Sequence, residues 1–207
     1  MFQIFSPNML KTYELCPKKF YFMYIKKISM PTNNEIFETG KNIHAIASYY
    51  LRKENIDRLE KSLSEKEIEL WNYLKNSKYF TYEALNTEYN LSVKVGENFF
   101  GGRLDALVKD KDKYYILDYK TGSAPKNAKY DFQTIIYLLA VKEHFNTENI
   151  CFVYLDLKNK TEVTVNLDEN LIKEYENKLL NTTDKIKKEN YPQITNCNCE
   201  YNIICYH

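Results

Sequence analysis

Asp118 and Lys120 lie two positions apart in the apolar stretch ILDYKTG. Alternate residues of a β-strand point to the same face, so these two side chains would project together while Tyr119 points away. One strand earlier in the chain, GGRLDALV places Asp105 in a similar apolar setting. Two buried carboxylates repel each other unless they share a proton or bind a cation. The pattern therefore predicts a shared carboxylate site on two neighbouring strands.

Oxygen ligands without thiolates favour Mg²⁺ or Mn²⁺ at such a site. A cation held there would polarise a phosphoryl oxygen, and Lys120 beside it could orient an attacking water. An ordinary surface ion pair between Asp118 and Lys120 is the alternative reading of the strand alone. Because Asp105 is expected beside Asp118 and Lys120, the three residues together favour phosphodiester hydrolysis over a surface ion pair.

Asp105, followed after a hairpin by Asp118-Tyr119-Lys120, resembles the core of the PD-(D/E)xK nucleases, with Asp118 in the (D/E) place. Further residues resemble the RecB-like branch of that superfamily in type and order: His44 in GKNIH, Glu88 in NTEYNLSV, and Gln133 with Tyr137 in DFQTIIYLL. Each of these residues alone also has a purely structural interpretation. Their joint occurrence favours the nuclease.

The resemblance implies a role for each residue of this site. The metal ligands would be His44, Asp105, Asp118 and the backbone carbonyl of Tyr119. Lys120 would orient or activate the water, Glu88 would assist catalysis beside the ligands or at a second metal, and Gln133 and Tyr137 would position the DNA strand. An imidazole ligand favours Mn²⁺ over Mg²⁺.

Four of the five cysteines lie near the chain ends, as Cys16 and as Cys197, Cys199 and Cys205 in NCNCEYNIICYH. Thiolate sites hold Zn²⁺ or iron–sulfur clusters, and residue types alone do not separate the two. The arrangement resembles the iron-staple nucleases, which include the AddB nuclease domain and CRISPR-associated iron–sulfur exonucleases. That resemblance implies a [4Fe–4S] cluster that fastens the tail to the N-terminal helix.

One residue separates Cys197 from Cys199 where that group usually has two, so His207 is an alternative ligand. Cys151, in an apolar strand, is predicted to be a buried thiol.

The 207 residues carry a formal net charge of +1, which excludes nucleic-acid binding by bulk positive charge alone. Any contact with DNA must therefore be local. The sequence has no export signal and no apolar window long enough to span a membrane. We therefore expect a cytoplasmic protein whose cysteines are reduced thiols or metal ligands.

The pattern of elements predicts a single domain with an α/β fold. Residues 1–80 read as a helical region, 81–165 as the nuclease core, and 166–207 as a closing helix with the cysteine tail. Helices are predicted from residue 7, over 40–54, after Ser64, over 128–145 and over 168–189. Three strands would form an antiparallel meander, and the following helix would cross over to the ICFVYLDL strand, with an edge strand at 160–165. The resemblance implies a restriction-endonuclease-like sandwich around a mixed sheet.

The resemblance implies exonucleolytic hydrolysis of DNA, at free ends and often on single strands. Two alternatives stay open: a non-catalytic DNA-binding or assembly subunit of a recombination or CRISPR-adaptation complex, and a zinc-stapled endonuclease. No phosphate-binding loop is present in the sequence, so unwinding would require a helicase partner; a CRISPR integrase is the other expected partner.

Overall fold

The computed structural model describes residues 4–30, 34–194, 197 and 199–205, so His207 lies outside the described residues. The N-terminal region contains five helices: α1 Pro7–Leu15, α2 Pro17–Phe20, α3 Asn34–Leu51, α4 Asp57–Ser62 and α5 Glu65–Lys75. A π-helical turn, Tyr21–Ile25, follows α2, and a 3₁₀ turn, Lys78–Thr81, follows α5.

Capping residues that the sequence shows mark the N-termini of two of these helices, α1 and α5. The Ser6 side chain accepts a hydrogen bond from the Met9 amide at 3.3 Å, and Pro7 occupies the first helical position. Ser64 and Glu67 form a reciprocal capping box at the start of α5, as the sequence predicts.

The central sheet has five strands in the order β1-β2-β3-β4-β5. The strands are β1 Glu83–Val95, β2 Asn98–Asp110, β3 Lys113–Lys120, β4 Ile150–Asp156 and β5 Thr161–Asn166. Only the β3–β4 pair is parallel; the other three pairs are antiparallel. Helix α6, Phe132–Phe145, connects the two parallel strands, as a crossover requires. The predicted mixed sheet is confirmed.

Helices cover both faces of the sheet and form two apolar cores. Helices α1, α6 and α7 (Glu169–Lys187) pack on one face, where Leu107 and Ile116 contribute from the strands. Helices α3 and α5 pack on the other face, against residues such as Leu117 and Val153. The α/β sandwich is therefore confirmed. The short helix α8, Asn202–Cys205, lies in the tail.

Several predicted boundaries differ from the structure. Helix α3 begins at Asn34 and ends at Leu51, earlier at both ends than predicted, and α4 was not predicted. Helix α6 begins at Phe132 because the Asp131 side chain caps it by accepting a hydrogen bond from the Gln133 amide at 2.8 Å. A separate 3₁₀ turn, Ala128–Tyr130, precedes it.

Within the described ranges, no helix combines the length and apolar character needed to cross a bilayer.

Two glycines offer a matched test of the packing between β1 and β2. A Cβ at Gly101 would lie 2.4 Å from the Leu91 carbonyl oxygen, whereas a Cβ at Gly122 would have nothing within 4 Å. We expect Gly101→Ala to lower the free energy of unfolding by about 2 kcal/mol or more, and Gly122→Ala to change it by less than about 0.5 kcal/mol. Urea denaturation measures both. Equal midpoints for the two variants would contradict the close approach of β1 and β2.

Candidate active site and cysteine centre

The two predicted aspartates lie on adjacent strands at the centre of the sheet. Asp105 is on β2 and accepts a hydrogen bond at Oδ2 from the Tyr119 amide, at 2.8 Å. Asp118, on β3, is only 3% exposed. The pairing of Ala106 with Leu117 brings these carboxylates next to each other across the two strands. The carboxylate pair expected from the sequence is therefore present.

His44 reaches this pair from helix α3. Its Nδ1 lies 3.1 Å from Asp105 Oδ1, and its Nε2 lies 3.0 Å from the Tyr119 carbonyl oxygen. Burial alone would lower the pKa of His44, but the hydrogen bond and charge of Asp105, helped by the charge of Asp118, raise that pKa to about 9. Both ring nitrogens face acceptors, so the metal-free site holds a protonated imidazole that donates two hydrogen bonds.

Glu88 lies on β1 opposite Asp105, with a backbone φ of 48°. That conformation is uncommon for a residue with a side chain and is a form of local strain often found at functional sites. Glu88 Oε2 forms an ion pair with Arg103 Nε at 2.9 Å, and Glu88 Oε1 lies 3.9 Å from His44 Nδ1. Burial raises the pKa of Glu88, although the charge of Arg103 opposes this.

Asp118 contacts two side chains that the sequence analysis placed in the site. Lys120 Nζ lies 2.7 Å from Asp118 Oδ2, and the Gln133 amide donates to Asp118 Oδ1. Burial, followed by the charge of Asp105, raises the pKa of Asp118 to about 6, while Lys120 lowers it. Both Asp118 oxygens therefore have a side-chain partner, Gln133 at Oδ1 and the Lys120 ammonium at Oδ2.

Gln133 and Tyr137 share one face of α6 but lie in different surroundings. Gln133 links the site together, because its Oε1 also accepts a hydrogen bond from Lys120 Nζ at 3.2 Å. The Tyr137 ring is in the core, parallel to the Phe152 ring at 6.4 Å. Its hydroxyl oxygen would lie 2.9 Å from a Cβ at Gly102, so a glycine there makes room for it.

The side chains present suit a hard divalent cation. Ligand atoms of His44, Glu88 and Asp105 all lie within 4.8 Å of one another. Asp118 is buried beside the Asp105 carboxylate, and a cation would relieve the repulsion between the two groups. Asp118 is outside this group of three, whereas Glu88, expected beside the ligands or at a second metal, is within it. Carboxylate oxygens and one imidazole form a donor set suited to Mn²⁺ or Mg²⁺.

Three of the four predicted cysteine ligands meet at the N-terminal helices. The sulfur atoms of Cys16, Cys197 and Cys199 all lie within 4.8 Å of one another, and Cys16 and Cys197 are 3.8 Å apart. Cys205, on α8, is outside this group. Burial raises the pKa of Cys16 and of Cys199, whereas a hydrogen bond from Cys199 lowers the pKa of Cys197. The converging thiols fit a soft metal centre.

Other contacts fasten the tail to the N-terminal region without any metal. The Tyr201 hydroxyl donates to the Ile28 carbonyl at 2.7 Å, and the Tyr201 ring stacks on Phe22 with centroids 5.9 Å apart. Lys19 and Glu200 form an ion pair at 3.0 Å. Cys151 is buried in β4, as predicted. The tail and the first helices are therefore neighbours, as the predicted staple requires.

The family model described as the PD-(D/E)XK nuclease superfamily matches residues 4–206. The chain belongs to this superfamily. The nuclease is 23% identical over 179 residues to the CRISPR-associated exonuclease Cas4 of Francisella tularensis subsp. novicida, covering 86% of this chain and 77% of that protein. The structure of a proposed exonuclease from Eubacterium rectale aligns with a TM-score of 0.62 and 11% identity, covering 97% of this chain and 88% of the other. That alignment supports the fold.

Sequence reasoning missed three charged residues of the nuclease. Arg103 pairs with Glu88, and Asp131 caps α6 two residues before Gln133. Asp156, at the end of β4, accepts a hydrogen bond from the Ala124 amide at 3.0 Å and so holds the loop that follows Lys120. The parallel pairing of Lys120 with Asp156 could have suggested the last of these. The other two depend on contacts between distant segments.

The protonated His44 gives the metal-free nuclease a specific pH dependence. The native state keeps this proton up to about pH 9, whereas the unfolded chain releases it near the ordinary value of 6.5. The stabilisation is therefore complete below about pH 6.5 and is lost as the pH rises towards 9. We expect the stability of His44→Gln, measured as the urea midpoint in EDTA, to decrease less between pH 6.5 and 9 than that of the unsubstituted chain. His144→Gln, outside the site, serves as the control. If the urea midpoint of His44→Gln depended on pH as that of the unsubstituted chain does, the ion pair between His44 and Asp105 would be contradicted.

Proposed function

We propose that this nuclease is a Mn²⁺- or Mg²⁺-dependent deoxyribonuclease that hydrolyses phosphodiester bonds at DNA ends. The observation that carries the proposal is the meeting of His44, Asp105 and Asp118 with Lys120 at neighbouring strands. An ordinary surface ion pair would not bury Asp118 beside a second carboxylate. A cation held by these residues would relieve that repulsion and supply positive charge for a phosphate group.

In this mechanism, Asp105, Asp118, His44 and the Tyr119 carbonyl hold the cation, and Glu88 assists. The bound cation would supply charge for the phosphoryl oxygens and acidify an attacking water. His44 must first release its proton, because a protonated imidazole cannot be a ligand. Lys120 then orients the water and stabilises the negative charge that develops on the phosphate.

The Gln133 side chain holds Lys120 and Asp118 in place, because it accepts a hydrogen bond from Lys120 and donates one to Asp118. We propose that its amide exchanges one of these contacts for the DNA strand on binding. Tyr137 would reach DNA only through its hydroxyl, since the ring is buried.

Action at DNA ends is supported by the exonuclease name of the Cas4 relative. That relative's association with CRISPR also supports an integrase or another CRISPR component as a partner, while a helicase would suit a role in recombination. The expected substrate is single-stranded DNA or a duplex with a free end. Reduced thiols in a metal centre suit the cytoplasm.

For the cysteine centre, we propose a metal staple on Cys16, Cys197 and Cys199, with Cys205 as the fourth ligand of a [4Fe–4S] cluster. Zinc is the alternative, and the distance of 3.8 Å between the Cys16 and Cys197 sulfur atoms supports it. Two sulfur ligands of a tetrahedral zinc site are about 3.8 Å apart, because each Zn–S bond is about 2.3 Å long. In either form, the staple would join residues separated by most of the chain and so restrict the unfolded state.

A non-catalytic DNA-binding or assembly subunit is the competing function. The retained Asp105, Asp118, Lys120 and His44 argue against it, because a binding module gains nothing from a buried pair of repelling carboxylates.

The role of Lys120 can be tested in the purified chain. We expect Lys120→Ala to reduce cleavage of end-labelled single- and double-stranded DNA by at least about 100-fold in Mn²⁺, because a group that stabilises the transition state is lost. In Mn²⁺, where the cation would supply positive charge beside Asp118, the melting temperature and DNA binding should change little. Asp118→Ala is the contamination control, since equal products from Asp118→Ala and the unsubstituted chain would favour the binding-module reading. Normal cleavage by Lys120→Ala would refute its assignment.

The staple can be tested by colour and metal content. We expect the purified chain to be brown with visible absorbance, and Cys16→Ser to lose both the colour and several degrees of melting temperature. Cys151→Ser is the matched control for loss of a buried thiol and should keep the colour. A colourless chain with one zinc per molecule would instead support the zinc staple, and a metal-free chain with an unchanged Cys16→Ser variant would refute both.

A further inference from the structure

Arg103 is the most exposed cationic side chain at the candidate active site. It lies on β2 two residues before Asp105, and its guanidinium pairs with Glu88, whose carboxylate neighbours His44 and Asp105. Its side chain is 65% exposed, compared with 28% for Lys120 and 30% for His44. Arg103 therefore combines proximity to the site with freedom to move.

Its partner in the metal-free chain is a carboxylate of the site itself. Arg103 Nε lies 2.9 Å from Glu88 Oε2, and the ligand atoms of Glu88, His44 and Asp105 lie within 4.8 Å of one another. The guanidinium thus supplies positive charge to a carboxylate that a divalent cation would also attract. A cation bound by Glu88 would weaken the attraction between Glu88 and Arg103.

The other cations nearby already have several partners. Lys120 contacts Asp118 and Gln133. Arg52 pairs with Glu54 and donates to Ser48 Oγ at 2.9 Å. Among the described residues, Glu88 is the only ion-pair partner of Arg103. Of these groups, only Arg103 depends on a single contact that metal binding would itself weaken.

We propose that Arg103 is a phosphate-binding residue: it neutralises Glu88 in the metal-free chain and, once a divalent cation engages Glu88, binds a phosphate of the DNA strand. This inference rests on the proposed nuclease function. A guanidinium matches two phosphate oxygens with parallel N–H groups, a geometry that lysine does not provide. The exchange of partners couples metal loading to DNA binding.

The first experiment measures Mn²⁺ binding alone by calorimetry at pH 8. We expect Arg103→Ala to bind Mn²⁺ about three- to tenfold more tightly, because a competitor for Glu88 is removed. Arg58→Ala, on α4, is the matched arginine control and should bind Mn²⁺ as the unsubstituted chain does. In a Glu88→Gln background, Arg103→Ala should cause a much smaller change.

The second experiment measures binding of fluorescent single-stranded DNA, with every protein carrying Lys120→Ala so that the DNA survives. In Mn²⁺, Arg103→Ala should weaken binding about tenfold or more, and in EDTA by less than about threefold. Arg103→Lys should bind Mn²⁺ as the unsubstituted chain does and still bind DNA several-fold more weakly, since the paired N–H contacts are lost. Arg58→Ala should change neither binding constant.

Opposite shifts in the two constants are the signature of the proposed exchange. Weaker Mn²⁺ binding by Arg103→Ala would show that Arg103 only positions Glu88, and would overturn the inference. DNA binding weakened equally in Mn²⁺ and EDTA, or no more than by Arg58→Ala, would also overturn it. If the unsubstituted chain binds Mn²⁺ but Arg103→Ala is not tighter, this inference alone fails. If the unsubstituted chain binds no Mn²⁺, the proposed function fails with it.

Discussion

Repulsion between Asp105 and Asp118 is the constraint on which the site depends. Burial and the neighbouring carboxylate together raise the pKa of Asp118 to about 6, so keeping both groups charged requires compensating positive charge. In the metal-free chain that charge comes from His44 on one side and Lys120 on the other. Arg103 does the same for Glu88. These three side chains therefore balance the negative charge of the carboxylates in the site.

The parts of this site that sequence predicts are those set by local periodicity. Strand alternation placed Asp118 and Lys120 on one face, and helical spacing placed Gln133 and Tyr137 on one face of α6. The capping box predicted where α5 begins, and the order of strands and helices predicted the crossover between β3 and β4. These features depend on contacts over a few residues, or on connection rules that hold for nearly all sheets.

The remaining features depend on contacts between distant segments, which single-sequence patterns do not encode. The positive φ of Glu88 is uncommon for that residue type, and its ion pair with Arg103 depends on the register of β1 against β2. Cys197, made doubtful by its spacing, lies 3.8 Å from Cys16, while Cys205, with the expected spacing, is outside the group of three thiols. The spacing of these two predicted ligands therefore does not indicate which of them lies near Cys16, because that depends on how the tail folds back on the N-terminal helices.

The N-terminal segment that carries Cys16 is connected to Asp118 through Asp131 and Gln133. Helix α1 ends at Leu15, directly before Cys16, and from its middle Lys11 reaches Asp131 Oδ1 at 2.9 Å. The same Asp131 oxygen accepts the Gln133 amide at 2.8 Å and caps α6, and the Gln133 side chain in turn donates to Asp118. A staple that holds α1 therefore also holds the cap that orients Gln133. A staple at Cys16 would in this way influence the position of Gln133 beside Asp118.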